Sequence, residues 1–206
     1  MTGIGEVFLT ALGPRAEALH PALRAQLRDP RRRQVLSGRF PVAGSRLGAL
    51  NALARPAVGP AALLTRYERD VPFQVELSAT ADADGRPVLH TTRRFGFRSG
   101  QQTLLDALYA TAEEGVLRSR LGARGRVEVL MVCDVTDDGA LVLVSRRVSL
   151  RLGRIRMPLP RGLSPAIRVR DGWDDAHQRR TIDMTAGHPL VGGVLEYRGW
   201  FVSVDG

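Results

Sequence analysis

The sequence predicts an α+β protein, mostly antiparallel β, in which a strongly curved sheet or partly closed barrel has N-terminal helices packed on or in it. Three observations lead there. Apolar residues recur at helical spacing in the first third of the chain. From Asp70 onward the apolar period drops to two. Short turns, not crossover segments, join the alternating stretches, so neighbouring strands must run antiparallel. With 206 residues, 44% hydrophobic and 25% charged, the chain can bury a sizeable core and is too apolar to be disordered. It reads as a single domain over 1–206, with a mainly helical part over 1–65 and an antiparallel sheet over 66–206.

The elements follow in order. Ile4 to Leu12 is a short apolar segment ended by Gly13-Pro14, and Pro14 suits the first turn of a second helix. Leu19, Leu23 and Leu27 continue it at fourfold spacing, and Pro21 divides or kinks it. "RQVLSGRFPVAG" is a short extended piece. In "SRLGALNALARPAVGPAALL", Ser45 is an N-cap candidate and Leu47, Leu50, Leu53 and Ala54 form one apolar face, with Pro56 and Pro60 ending or bending the helix. Val71, Phe73, Val75 and Leu77 then alternate with polar residues, and "ADADG" is a hairpin turn. The returning strand puts Leu89, Thr91, Arg93, Phe95 and Phe97 on one face. Val127 to Val135 puts Val127, Val129, Met131, Cys133 and Val135 together, "TDDG" turns, and Leu141 to Leu152 pairs back. Its "LVLV" is apolar on both faces and calls for a cover on each, while Val148, Leu150 and Leu152 keep one apolar face. "AIRVRDGW", "RRTIDMTA" and "VLEYRGWFVSV" are three more strands. "SGQQTLLDALYATAEEG" stands apart: Ser99 with Gln102 makes a capping box, and its leucines fit a helix locally.

Charge narrows the classes of function. The net charge is +9, and all 30 basic residues are arginine. Arginine's planar fork suits phosphates, but a GC-rich coding bias would also replace Lys by Arg. The arginines are scattered, the run Arg31 to Arg33 is short, and aromatics at 5% are too few for a base-stacking platform, which disfavours nucleic acid. A general preference for acidic surfaces or anionic lipids stays open. No run of eighteen apolar residues exists, so no transmembrane helix is expected. The N-terminus lacks a basic leader and carries Glu6, so no signal peptide is expected, and a cytoplasmic location is the default. Cys133, at strand spacing among apolar residues, reads as a small core residue.

No catalytic constellation with diagnostic spacing is present: there is no GxSxG, Walker loop, CxxC or HExxH, and Gly3 to Gly5 is not followed by the dinucleotide pattern. The four histidines are far apart in sequence. Accordingly no catalytic residue, metal ligand or cofactor is assigned. Arg93 is the informative oddity, because alternation puts it on a face with Leu89, Phe95 and Phe97. An interior guanidinium there must be paired or hold an anion. The alternatives are a strand-end arginine reaching water, or a bulge at Arg93-Arg94. Near the C-terminus, Leu195, Tyr197 and Phe201 alternate against Glu196, Arg198 and Trp200, and Gly199 allows close approach of another element or a ligand.

"SGRFPVAGSRLGAL", "DVPFQVEL", "TTRRFGFRS", "EEGVLRSRLG", "PLPRGLSP" and "PLVGGVLEYRGWF", in that order, resemble the bacterial domain of unknown function 4166 over nearly the whole chain. The resemblance implies a strand after "FRS", against the local helix, and lends no catalytic residues. That domain also occurs behind saccharopine-dehydrogenase-like oxidoreductase domains, which implies an oxidoreductase partner for some relatives. The reading adopted is binding of a hydrophobic or amphipathic, lipid-like small molecule in the concavity, with Arg93, Phe95, Phe97, Val148, Tyr197 and Trp200 as ligand-binding residues. The helices Ile4 to Leu27 and Ser45 to Leu64 would cap or gate it. Two alternatives stand beside it: a solid-core partner module of an oxidoreductase, and an isomerase- or cyclase-type enzyme using the same cavity.

Overall fold

The computed structural model describes residues 3–204. The chain opens with α1 (Glu6–Leu12), a 3₁₀ segment (Gly13–Ala18) and α2 (Pro21–Leu27). Strand β1 (Arg33–Gly44) follows, then α3 (Ala49–Val58), then β2 (Tyr67–Ala81), β3 (Pro87–Phe97), β4 (Gly100–Ala110), β5 (Val116–Leu121) and β6 (Val127–Val135). The C-terminal part contains β7 (Leu141–Leu152), β8 (Ile155–Pro158), β9 (Ala166–Asp174), β10 (Arg179–His188) and β11 (Gly192–Ser203). All strand pairings are antiparallel. The order β6-β5-β4-β3-β2-β1-β11-β10-β9-β7, with β6 also paired to β7, makes a closed ring of ten strands, and β8 hangs outside it on β7. Closure removes the free edges that an open sheet of this size would expose.

Alternation decides what fills the ring. Val71, Phe73 and Val75 of β2, Leu89, Phe95 and Phe97 of β3, and Val129, Met131 and Cys133 of β6 are all buried inside, as their period of two predicts. Two irregularities keep the inward face continuous. In β7, Leu130 pairs Arg147 while Met131 pairs Ser145, so Arg146 is an extra residue. Without it, Leu141 and Leu143 would face opposite to Val148; with it, all three are buried inside. In β1 the register with β11 shifts between Arg39 and Val42, around Pro41, which has no N–H to give the ladder. Phe40, fully buried, stacks on Phe73 at 4.1 Å and on Tyr197 at 5.7 Å between ring centroids. Gly199 permits this, because a Cβ there would lie 2.2 Å from the Phe40 ring. The close approach expected at Gly199 is thus made by another strand.

The α1 and α2 segments close the barrel end at which β1 begins. Gly5 lies so near Leu27 that a Cβ would come within 2.1 Å of its carbonyl oxygen, which fixes the crossing of the two helices. Pro21 starts α2, with the His20 side chain accepting from the Ala22 N–H. Phe8, Leu12, Leu19, Leu23 and Leu27 are buried, so the apolar stripe read from the sequence does face the core.

Three sequence-based expectations are corrected in detail. The segment after Ser99 is strand β4, in register with β3 from Phe97–Gly100 to Val88–Tyr109, as the resemblance implied and the local helix pattern did not. Pairing with β3 and β5 on its two edges outweighs local helix preference. The extended piece at 33–44, grouped with the helical part, is a full barrel strand. Helix α3 starts at Ala49, and Ser45 is not its cap: its hydroxyl accepts from the Leu47 N–H and from the Asn51 amide at 2.8 Å. Asn51, which also donates to the Leu64 carbonyl at 3.0 Å, anchors the segment. The expected apolar face is turned to solvent instead, with Leu50 61% and Leu53 77% exposed.

Candidate functional site

The barrel interior is not uniformly apolar. Inward positions on four strands carry charge: Arg93 on β3, Asp106 on β4, Asp171 on β9 and Arg180 on β10. The Arg180 guanidinium grips Asp171 with two parallel hydrogen bonds, Nε donating to Oδ1 at 2.7 Å and Nη2 to Oδ2. Both residues are buried, and the guanidinium lies 5.4 Å from the Phe201 ring centroid. Such a fork leaves the pair's charge neutralised and its lone pairs largely used. Asp106 accepts from the Ser119 hydroxyl at 2.7 Å and, at 3.4 Å, from Arg93.

Arg93 is less well served. Its only hydrogen bond among the described residues is that long one to Asp106, although a guanidinium has five N–H donors. Burial works to lower its pKa, but nearby Tyr197 and Asp106 outweigh burial and hold it above the ordinary value, so it stays charged. Burial raises the Tyr197 pKa, with Arg93 opposing, which keeps that phenol neutral. The Tyr197 hydroxyl makes no hydrogen bond among the described residues, and the buried Thr91 hydroxyl is without a partner.

These spare polar groups face two small internal chambers. The first, about 70 Å³, lies under α1 and is bordered by Phe8, Leu36, Val75, Thr91, Arg93 and Arg180. The second, about 110 Å³, is bordered by Arg93, Asp106, Leu143, Ile167, Met184 and Tyr197. Arg93, Asp171 and Ile182 border both. On the other side of Ile167 an open groove of about 650 Å³ runs along Gly44, Ala166, Ala186, Gly187, Gly193 and Leu195, with Arg46, Arg168 and Glu196 also on its border. Small residues make that groove wide, and Ile167 is the one side chain it shares with the inner chamber.

Of the residues expected to bind a ligand, Arg93 borders both chambers and Tyr197 the second. Phe95 and Phe97 are interior but belong to the aromatic stack with Phe40 and Phe73, with Phe95 and Phe97 centroids 6.1 Å apart. Val148 is 2% exposed, pairs Val129 in the wall and borders neither chamber. Trp200 is corrected in placement. It points outward, beneath the Arg179 guanidinium at 4.7 Å, because it alternates with Tyr197 and Phe201. Asp106, Asp171 and Arg180 were not singled out from the sequence. The signal for the last two was present: each is a charge at the apolar parity of its strand, between Val169 and Trp173 and two before Ile182. Asp106 was hidden by the helical reading of its segment.

Cys133 is buried and its thiol is pushed up to about 12 by burial, so it is a core residue and not a nucleophile at neutral pH. No group of His, Cys, Asp or Glu among the described residues could hold a metal ion. No helix among them is long and apolar enough to cross a membrane.

A closed antiparallel barrel with an apolar lining, small internal chambers and a few convergent polar groups is compatible with holding a small ligand. The chain belongs to the family described as domain of unknown function DUF4166, whose family model matches residues 19–201. The match takes in β1 to β10 and β11 as far as Phe201, and leaves out α1. No curated protein matches the chain.

Proposed function

We propose that the protein binds a small amphipathic, lipid-like molecule, with a polar head held by Arg93 and Tyr197 and an apolar body reaching past Ile167 into the open groove. One observation supports this above the others. A buried, charged guanidinium with a single long hydrogen bond borders both chambers, beside the unpartnered hydroxyl of Thr91 in the first and that of Tyr197 in the second. Polar groups left unsatisfied in the interior cost stability unless something fills them. Because Asp106 and Asp171 offset Arg93 and Arg180, the head need not be strongly charged; a carboxylate, carbonyl or hydroxyl oxygen suffices. The two chambers are each smaller than a typical ligand pocket, so the ligand needs the groove as well.

Solvent extraction of freshly purified protein, followed by mass spectrometry, and saturable binding of an apolar fluorescent probe test the reading. Ile167→Trp fills the shared wall and abolishes probe binding. Arg93→Gln weakens displacement of the probe by a fatty acid about tenfold, the worth of roughly 1.4 kcal/mol. Absence of any co-purified molecule together with no saturable probe binding would overturn it in favour of the solid-core partner module.

A further inference from the structure

On the outer wall, across β5, β6, β7 and β8, five arginines gather around a single carboxylate. Glu128, 6% exposed at its side chain, receives Arg120 at 3.3 Å, Arg156 at 3.3 Å and Arg151 at 4.0 Å. In the next row Arg118 pairs Leu130, which pairs Arg147, so two more guanidiniums project from the same face. Neither Arg118 nor Arg147 has an ion pair among the described residues, and the Nε of Arg118 and that of Arg151 are buried with no acceptor. Between them lies a recess of about 230 Å³, bordered by Arg118, Glu128, Arg147, Ser149, Arg156 and Pro158.

Like charges held this close repel, and one glutamate cannot offset five guanidiniums. Among the described residues no carboxylate other than Glu128 forms an ion pair with any of the five. The connections at this end of the barrel, residues 45–66, 98–99, 122–126, 153–154, 159–165 and 189–191, contain no Asp or Glu. At the opposite end each turn carries at least one: "DADGR", "TAEEG", "TDDGA" and "DAHQ". The acids are therefore segregated away from the recess by the topology.

We infer that this recess is an anion site for a phosphate group, with Arg118, Arg147 and Arg156 donating to its oxygens and the Ser149 hydroxyl as a further donor. Guanidinium forks match phosphate oxygens in geometry, and partial burial strengthens the contact. The site is separate from the barrel interior, so it stands whether or not the chambers hold a ligand. The phosphate has two sources: a free phosphorylated molecule, or the headgroup of a phospholipid, for which Leu152, Ile155 and Met157, all exposed on the adjoining β7–β8 hairpin, give an apolar flank.

The test uses inorganic phosphate, with sodium chloride as the control at equal ionic strength, and phosphatidylcholine vesicles with and without phosphatidic acid. Phosphate raises the thermal midpoint saturably, and Arg147→Gln, an exposed change that leaves the fold intact, weakens that effect about tenfold or more. Glu128→Gln tightens phosphate binding by removing the competing carboxylate. Its fold is checked by circular dichroism, and Arg118→Gln, which should weaken binding, serves as a second variant. Binding of phosphatidic acid vesicles, lost in Arg147→Gln and accompanied by no response to free phosphate, would assign the headgroup as the source. The inference is overturned if neither phosphate nor vesicles bind, or if Arg147→Gln and Arg118→Gln leave binding unchanged.

Discussion

Asp171 and Arg180 show what a charged residue costs and returns inside this barrel. Each is under a tenth exposed, and each satisfies the other by a two-bond fork. Removing one partner strands the other. Arg180→Met therefore destabilises by about 3–5 kcal/mol, measured by urea unfolding, and Asp171→Leu by a similar amount. The double variant recovers most of the loss, because two apolar side chains replace two compensated charges. Strict additivity of the two single changes would show that the pair is not coupled as its geometry requires. The pair was legible in part. Asp171 and Arg180 both break the apolar parity of their strands, the same sign that drew attention to Arg93. What the sequence does not supply is that the two hairpin pairs, Arg93 with Asp106 and Asp171 with Arg180, face one interior, because the β3–β4 and β9–β10 hairpins come together only when the ring closes.

Strand β7 shows how one residue changes the meaning of a pattern. Read by strict alternation, its "LVLV" start is apolar on both faces and its later half keeps Val148 and Leu150 together. The structure reconciles the halves with the extra residue Arg146, which turns Val148 to the side of Leu141 and Leu143. Bulges leave little trace in composition, so this register was beyond the sequence, although the placing of Val148 on the concave side was not. The outward faces differ from the expected double cover: Val142 is buried at 7% exposure but Val144 is 42% exposed. Likewise Leu50 and Leu53 looked like a buried helix face and are not, because α3 is held by Asn51 and not by its leucines. Since Val148 is 2% exposed and borders neither chamber, Val148→Arg places an unpaired charge in packed wall. The variant is expected to be unfolded by circular dichroism at room temperature. A folded variant would show that the wall yields there.

Across the whole molecule the ring is not equally strong all the way round. Strands β1 and β2 stay in register from Arg33–Ser78 to Gly44–Tyr67, while β7 and β9 pair only from Leu141–Asp171 to Val144–Arg168. Beyond Val144, β7 turns to β8 and parts from β9, and the open groove lies where the two diverge. A single side-chain contact bridges the start of the gap, the Ile167 N–H donating to the Ser145 hydroxyl at 2.8 Å. Ile167 is also the shared wall between groove and inner chamber, so the most sparsely paired seam lies beside that wall. Local opening follows the least-bonded backbone. Hydrogen exchange should therefore be faster at Ile167 to Val169 than in β1 and β2. Ser145→Ala removes the bridge at a cost of about 1 kcal/mol, raises exchange at Ile167 further, and speeds the association of an apolar probe without changing how many molecules bind. Uniform protection around the ring, or a probe association rate indifferent to Ser145→Ala, would show that this seam does not open ahead of the rest of the ring.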